Sequence, residues 1–266
     1  MGKVISMTEG TKYVKSGMML ALGGMTLYRR PVAFVNELIR SHHSTGLPNL
    51  LTLLAFTASL ESDLLVGSGM ISTVRSCYFG LESFGLAPMF TYFANRGEIT
   101  IIEETEASIA SGLRAKLAGI GFMPAKAWIG TDLPKLRPDV KTIRDPYTGE
   151  ELMAFPSIEP DIAVIHAIKA DTDGNAIIGM NKGVDEELTL AAKTVIITAE
   201  EIAPKLPRAD LVAPLITAVI HAPHGAAPTS CYPLYPINGL SILEYTEKVH
   251  DPESWEKYIQ EKLLKY

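Results

Sequence analysis

Met18-Met19-Leu20-Ala21-Leu22-Gly23-Gly24, followed by Pro31, is the stretch that decides the fold. The first five residues read as a buried strand, the two glycines close it, and Pro31 opens a helix over Ala33 to Arg40 with Phe34, Leu38 and Ile39 on one apolar face. Strand, glycine turn and helix make one α/β unit. Upstream, Ser6 and Glu9 have the spacing of a capping box, and Tyr13, Val14 and Gly17 fit a short helix ended by glycine.

The same alternation continues along the chain. Leu50 to Phe56, Val74 to Phe79 and Thr100 to Glu103 read as strands, and Glu61 to Val66 and Ser108 to Leu117 as helices. Ile162 to His166, Val195 to Thr198 and Ala218 to His221 are short β-branched runs typical of fully buried parallel strands. Thr142-Ile143-Arg144 and Glu151-Leu152-Met153 flank Asp145-Pro146-Tyr147-Thr148-Gly149, which has the turn chemistry of a hairpin. The expected architecture is an open, doubly wound, mostly parallel sheet with helices on both faces and a small antiparallel hairpin excursion. No linker or repeat divides the chain, so residues 1–266 are expected to form a single domain, with a C-terminal helix over about 252–264.

Composition narrows the class. The 266 residues are 47% hydrophobic and 20% charged, as in globular proteins, and exclude disorder and fibrous repeats. The net charge of -6 argues against a nucleic-acid partner, since phosphate binding leaves a basic excess. Cys77 and Cys231 lie far apart and suggest neither a disulfide framework nor a metal site. With no apolar run near the ~20 residues of a membrane span, a cytoplasmic protein without a membrane partner is expected. A mean hydropathy of +0.16, with 10 Met, suggests apolar surface buried between subunits.

Candidate site residues collect at strand ends, where an open α/β sheet places its ligand crevice. Gly23 and Gly24 would let a phosphate or pantetheine approach the backbone, and equally suit a tight strand-to-helix turn. Arg29 and Arg30 could supply charge to a carboxylate or phosphate, or be solvated surface residues. In Glu103-Glu104-Thr105-Glu106 three carboxylates are too close for all to be buried and charged. Neighbours on a strand face opposite ways, so at most one of Glu103 and Glu104 enters a given pocket, while Glu106 suits a helix N-terminus. His166, His221 and His224 have no metal-ligand spacing and read as satisfied strand-end or loop histidines. Ser230-Cys231 sits in a Pro-rich loop without a nucleophile elbow.

The run Ser16-Gly17, Leu20-Ala21-Leu22-Gly23-Gly24 and Pro31 resembles the N-terminal signature of the α (A) subunit of family I CoA-transferases, with Ser16, Met25 and Arg29 as departures from it. Further blocks resemble the glutaconate CoA-transferase A-subunit group in the same order: Ile102-Glu103-Glu104, Asp145 to Glu150, Pro160 to Ala167, Asp173-Gly174-Asn175, Thr198 to Ile202, His224-Gly225-Ala226 and Pro228 to Pro233. The resemblance implies pairing with a homologous B subunit, in a heterodimer or α2β2 assembly. It implies acyl-CoA and a carboxylate as substrates, and no metal or prosthetic group. A glutamate of the B partner would attack the thioester, and its usual Ser-Glu-Asn-Gly context is absent here. Gly23, Gly24, Arg29, Arg30 and Ser230 become candidates for binding CoA or substrate. Relatives in the group are ring-opening hydrolases or decarboxylases of CoA esters, and by position Glu104, then Glu103, would carry acid-base work in that case, although Thr105 replaces the group's histidine. A non-catalytic, substrate-orienting role is the remaining alternative.

Overall fold

The alternating hydrophobic pattern sorts strand side chains onto two faces, and the helices cover both. A computed structural model describes residues 2–265. In chain order the first half comprises strand Val4–Ile5 (β1), helix Met7–Thr11 (α1), Met19–Leu22 (β2), helix Val32–Thr45 (α2), Leu51–Ala58 (β3), helix Leu60–Gly67 (α3), Ile71–Phe79 (β4), helix Pro88–Arg96 (α4), Thr100–Glu103 (β5) and helix Glu106–Leu117 (α5). Phe122–Ala125 (β6), the turn of helix Leu133–Leu136 (α6), Lys141–Arg144 (β7) and Glu151–Pro156 (β8) form the excursion. The chain returns through Ile162–Asp171 (β9), Ala176–Ile177 (β10), helix Asp185–Ala191 (α7), Thr194–Ala203 (β11) and Ala218–His221 (β12), then ends in helices Gly239–Lys248 (α8) and Pro252–Ile259 (α9).

The main sheet runs β1-β12-β11-β9-β2-β3-β4-β5, parallel throughout, with β10 added antiparallel to β9. From β2 the chain winds one way to the β5 edge. It re-enters as β9 on the other side of β2 and winds the opposite way. The order reverses between β2 and β9, so the crevice of this sheet lies at the carboxyl ends of those two strands.

Leu20, Leu22, Ile162 and Val164 face a layer holding Phe34, Leu38, Leu64, Ile242 and Trp255. Their strand neighbours Ala21, Ala163 and Ile165 face Ile109, Leu113 and Leu188. This is the period of two expected for strands buried on both faces. The antiparallel sheet β6-β8-β7 has its own small core of Trp128, Val140, Met153 and Phe155. The doubly wound sheet and the hairpin are as the sequence predicts. At the hairpin, Asp145 Oδ1 accepts from the Tyr147 and Thr148 N–H groups at 2.8 and 3.0 Å.

Several boundaries differ from expectation. The capping box at Ser6 and Glu9 forms, but α1 stops at Thr11 and leaves Tyr13, Val14 and Gly17 in a turn. Strands β9 and β11 each run to ten residues, because their polar second halves pair with one another through Glu201 and Lys169 to Ala203 and Asp171. The C-terminal helical run continues from α9 into a π-turn over Gln260–Leu264. No helix among the described residues is long and apolar enough to cross a membrane.

Candidate functional site

At the crevice the glycine turn is packed by the chain itself. The Gly24 N–H donates to Asp185 Oδ1 at 3.0 Å. A side chain on Gly23 would meet Asp185 Oδ1 at 2.7 Å, and one on Gly24, whose φ is +89°, would meet the Arg29 carbonyl oxygen at 2.6 Å. The close approach these glycines permit is therefore made by Asp185 and by the returning backbone.

Arg29 and Arg30 are not solvated, which corrects that reading: each is fully buried with an internal carboxylate. Arg29 Nη2 pairs with Asp185 Oδ2 at 2.8 Å, and its Nη1 donates to the His166 carbonyl at 2.7 Å. Arg30 Nη2 pairs with Glu61 Oε1 at 2.5 Å, and its Nη1 donates to the Gly24 carbonyl at 2.9 Å. A buried guanidinium is stable only with such partners. Both arginines thus hold residues 24–30 from beneath. Their partners lie on α7 and α3, far along the sequence, so nothing in the local pattern announced the burial.

Ser230 joins this turn. Its N–H donates to the Leu27 carbonyl at 2.9 Å, and its carbonyl accepts from the Arg29 N–H at 2.7 Å. The loop that carries it, residues 222–238, also accepts the Tyr28 hydroxyl at the Tyr232 carbonyl, 3.2 Å away. Gly23, Gly24, Arg29, Arg30 and Ser230 therefore form one two-loop platform at the sheet's switch point. Thr26, Arg29 and His224, all within it, take positive φ angles of 46°, 57° and 54°. Non-glycine residues hold such angles where the surroundings over-determine them, a pattern concentrated at functional sites.

Glu200, which the sequence reading did not single out, lies beside the platform. Its Oε1 accepts from His166 Nε2 at 2.8 Å and from the Tyr235 hydroxyl, and its Oε2 from the His224 N–H at 2.5 Å. Burial pushes the Glu200 carboxyl up, but the bonds from His166 and Tyr235 outweigh it and leave the group below the ordinary glutamate value. His166 is a satisfied strand histidine, as expected: Nδ1 meets Thr198 Oγ1 at 2.8 Å, and burial lowers its proton affinity. The signal in the sequence was Thr198 and Glu200 two apart on one strand face, opposite His166 on the next strand. Donor atoms of His166, Glu200 and Cys231 lie within 4.8 Å of one another. As a cation site the set fits poorly, because the imidazole and the carboxylate already have protein partners and burial pushes the Cys231 thiol up to about 12.

Glu104 and Glu103 stand apart from the platform. They lie at the end of β5, three strands from β2, a lateral separation of about 14 Å. Glu104 is buried, and its Oε1 meets Arg75 Nε at 2.6 Å and Arg137 Nη1 at 3.0 Å. Its Oε2 accepts the Ser108 hydroxyl. Arg137 also donates to the Glu103 carbonyl at 2.7 Å and forks onto Asp139 at 2.8 Å, tying the excursion to the sheet edge. The Glu103 side chain is exposed, so the two glutamates face differently, as strand neighbours should. Glu106 sits in the first turn of α5, the helix-capping position expected for it.

Comparison with known proteins agrees with this architecture. The family described as Coenzyme A transferase matches residues 4–217. The chain is 32% identical to the A subunit of the 3-oxoadipate CoA-transferase of Pseudomonas knackmussii, over 98% of this chain and 93% of that protein. The A subunit of the glutaconate CoA-transferase of Acidaminococcus fermentans is 29% identical, over 98% of this chain and 88% of its own length. The crystal structure of that transferase matches with a TM-score of 0.90 and 28% identity, over 99% of this chain and 89% of the other. A variant of the decarboxylase AibA/AibB matches with a TM-score of 0.87 and 29% identity, over 98% of this chain and all of the other. With a family match over most of its length and a full-length relative above 30% identity, this chain belongs to the coenzyme A transferase family.

Proposed function

We propose that this chain is the A component of a two-subunit, cytoplasmic CoA-transferase. It would act as one domain, moving CoA between an acyl-CoA thioester with a dicarboxylic or short acyl group and a carboxylate acceptor. Two of its full-length relatives carry the names of dicarboxylates, 3-oxoadipate and glutaconate. The observation that carries the reading is the state of this chain's own buried carboxylates. Asp185, Glu200 and Glu104 have both oxygens engaged by internal cations or donors, and Glu61, whose Oε1 pairs with Arg30 while Oε2 has no partner, is fully buried out of reach of a thioester. A homologous B subunit is expected to bring the nucleophile.

In that cycle a partner glutamate adds to the thioester carbonyl and expels CoA thiolate, leaving an acyl-glutamyl anhydride. The thiolate then adds to the glutamyl carbonyl and releases the acyl group as its carboxylate. The resulting glutamyl-CoA thioester passes CoA to the acceptor by the reverse steps. This chain's contribution would be the two-loop platform, with Gly23 and Gly24 buried in its turn, Ser230 supporting that turn from the second loop and Arg29 and Arg30 beneath, which positions the ester. Met180, Tyr232 and Leu234, exposed around it, are apolar groups that a partner subunit would cover.

The test is transfer by the chain reconstituted with its B subunit, with glutaconyl-CoA as donor and isotopically labelled acetate as acceptor. New labelled thioester that requires the acceptor supports the reading. Free acid or carbon dioxide released without acceptor refutes it. The second reading is a CoA-ester hydrolase or decarboxylase with Glu104 as acid-base group, favoured by the end-to-end match to a decarboxylase. Under it, Glu104→Gln lowers turnover by about a hundredfold or more with assembly intact. Under the transferase reading the same variant loosens the Arg75 and Arg137 clamp but keeps transfer within about threefold.

A further inference from the structure

The loop between β12 and α8 is held at both ends by one side chain. Near its start the His224 N–H donates to Glu200 Oε2 at 2.5 Å, and near its end the Tyr235 hydroxyl donates to Glu200 Oε1. The Tyr235 oxygen in turn accepts from the Ala226 N–H at 3.1 Å, closing the loop upon itself. From below, His166 Nε2 completes the set at 2.8 Å. A carboxylate only accepts, so Nε2 carries the imidazole proton and Nδ1 accepts from the Thr198 hydroxyl. Glu200 therefore faces three donors, a requirement that only an acceptor-only side chain of this length satisfies.

Between the two anchored ends lies the part of the loop that grips the glycine turn. Ser230 Oγ and N–H both donate to the Leu27 carbonyl, at 3.2 and 2.9 Å, and Arg29 N–H donates back to the Ser230 carbonyl at 2.7 Å. Arg29 and Arg30 hold residues 24–30 from beneath, but nothing else described holds residues 224–235 from the sheet side with charge.

We propose that Glu200 is a positioning residue: it latches residues 224–235 in the shape in which Ser230 supports the 24–30 turn, and so sets the affinity of the platform for the acyl-CoA ester without touching it. The inference rests on the CoA-ester reading of this edge and names the group that shapes it. In Glu200→Gln one donor must face the amide NH2, so either the His224 N–H or the Tyr235 and His166 pair loses its acceptor.

The test compares the variants Glu200→Gln and Tyr235→Phe, each in complex with the B subunit. Phe keeps the ring beside His224, 5.0 Å between centroids, and removes only the hydroxyl, the donor to Glu200 and the acceptor of the Ala226 N–H. Glu201→Gln is the control, since that side chain pairs with Lys169 on the surface at 2.6 Å. Hydrogen exchange of residues 222–238 and the KM and kcat for the acyl-CoA are measured together. The expected result is faster exchange in that loop and a KM raised about tenfold by Glu200→Gln and about threefold by Tyr235→Phe, with kcat nearly unchanged. The control alters neither. Unchanged exchange overturns the latch. Faster exchange with unchanged KM overturns its link to the ester, as does a fall in kcat alone, which is what mere loss of folded complex would give. If Glu200→Gln does not assemble, Tyr235→Phe decides by the same criteria. If the wild-type complex turns over no CoA ester, the CoA reading has failed and exchange alone decides whether Glu200 latches the loop.

Discussion

Replacing Asp185 by alanine removes the one carboxylate among the described residues that pairs with the fully buried Arg29 guanidinium. It also removes the acceptor of the Gly24 N–H. Two backbone carbonyls, of His166 and Asn181, remain on Arg29, at 2.7 and 3.0 Å, but they carry no net charge. Breaking one side of a buried pair costs about 3–5 kcal/mol, because an uncompensated charge stays in the interior. For a chain of 266 residues that corresponds to a Tm lowered by roughly 5–9 °C. Combining Arg29→Met with Asp185→Leu removes both charges and leaves only unpaired backbone groups, at about 1 kcal/mol each. The double variant should therefore be more stable than Asp185→Ala alone. Urea unfolding followed by the fluorescence of the buried Trp255 measures the three proteins at one concentration. If Asp185→Ala costs less than about 1 kcal/mol, or if the double variant is the least stable, the ion pair does not hold the turn in the way described.

Burial raises the Asp63 carboxyl from 3.8 to about 6, against the bonds it accepts from Tyr245, Phe90 and Met89. Between those values the folded chain binds more protons than the unfolded one, so stability falls as pH rises through about 4 to 6, by on the order of 3 kcal/mol. Asp63→Asn should flatten that part of a urea-stability profile, and a variant profile parallel to wild type would exclude Asp63 as its source. Gly24→Ala places a Cβ 2.6 Å from the Arg29 carbonyl oxygen at a φ of +89°, and a cost of about 2–4 kcal/mol is expected in the same assay. A loss below about 0.5 kcal/mol would mean that the turn is free to move.

Much of the scaffold was legible because it depends on local pattern. Leu20, Ala21 and Leu22 before two glycines, Ala218 to His221 as a β-branched run, and the Asp145 to Gly149 turn each carry their own instruction, and each forms the expected element. What was less legible depends on distant partners. The polar ends of β9 and β11 do not read as strand until the two are paired, and β6 contains a proline that conceals it. The site divided in the same way. Position along the strands singles out the glycine turn and the Glu103 and Glu104 pair, but the burial of Arg29 and Arg30 depends on Asp185 and Glu61, which lie 156 and 31 residues away. Glu200 carries no local signal because its partners come from two distant segments, His166 from β9 and His224 and Tyr235 from the loop after β12.

The sequence distances within the platform also set an order of assembly. The turn at residues 24–30 leaves β2 early in the chain, yet its supports are Asp185, 161 positions beyond Gly24, and Ser230, 203 beyond Leu27. Contacts of such separation form late, after the intervening chain has collapsed around them. While the chain is being synthesised, β2 to β5 can pair long before α7 and the final loop exist. During that interval the turn holds Arg29 without its counter-charge. The platform is thus the part of the molecule that registers whether folding has been completed, although its first residues are among the earliest to be made.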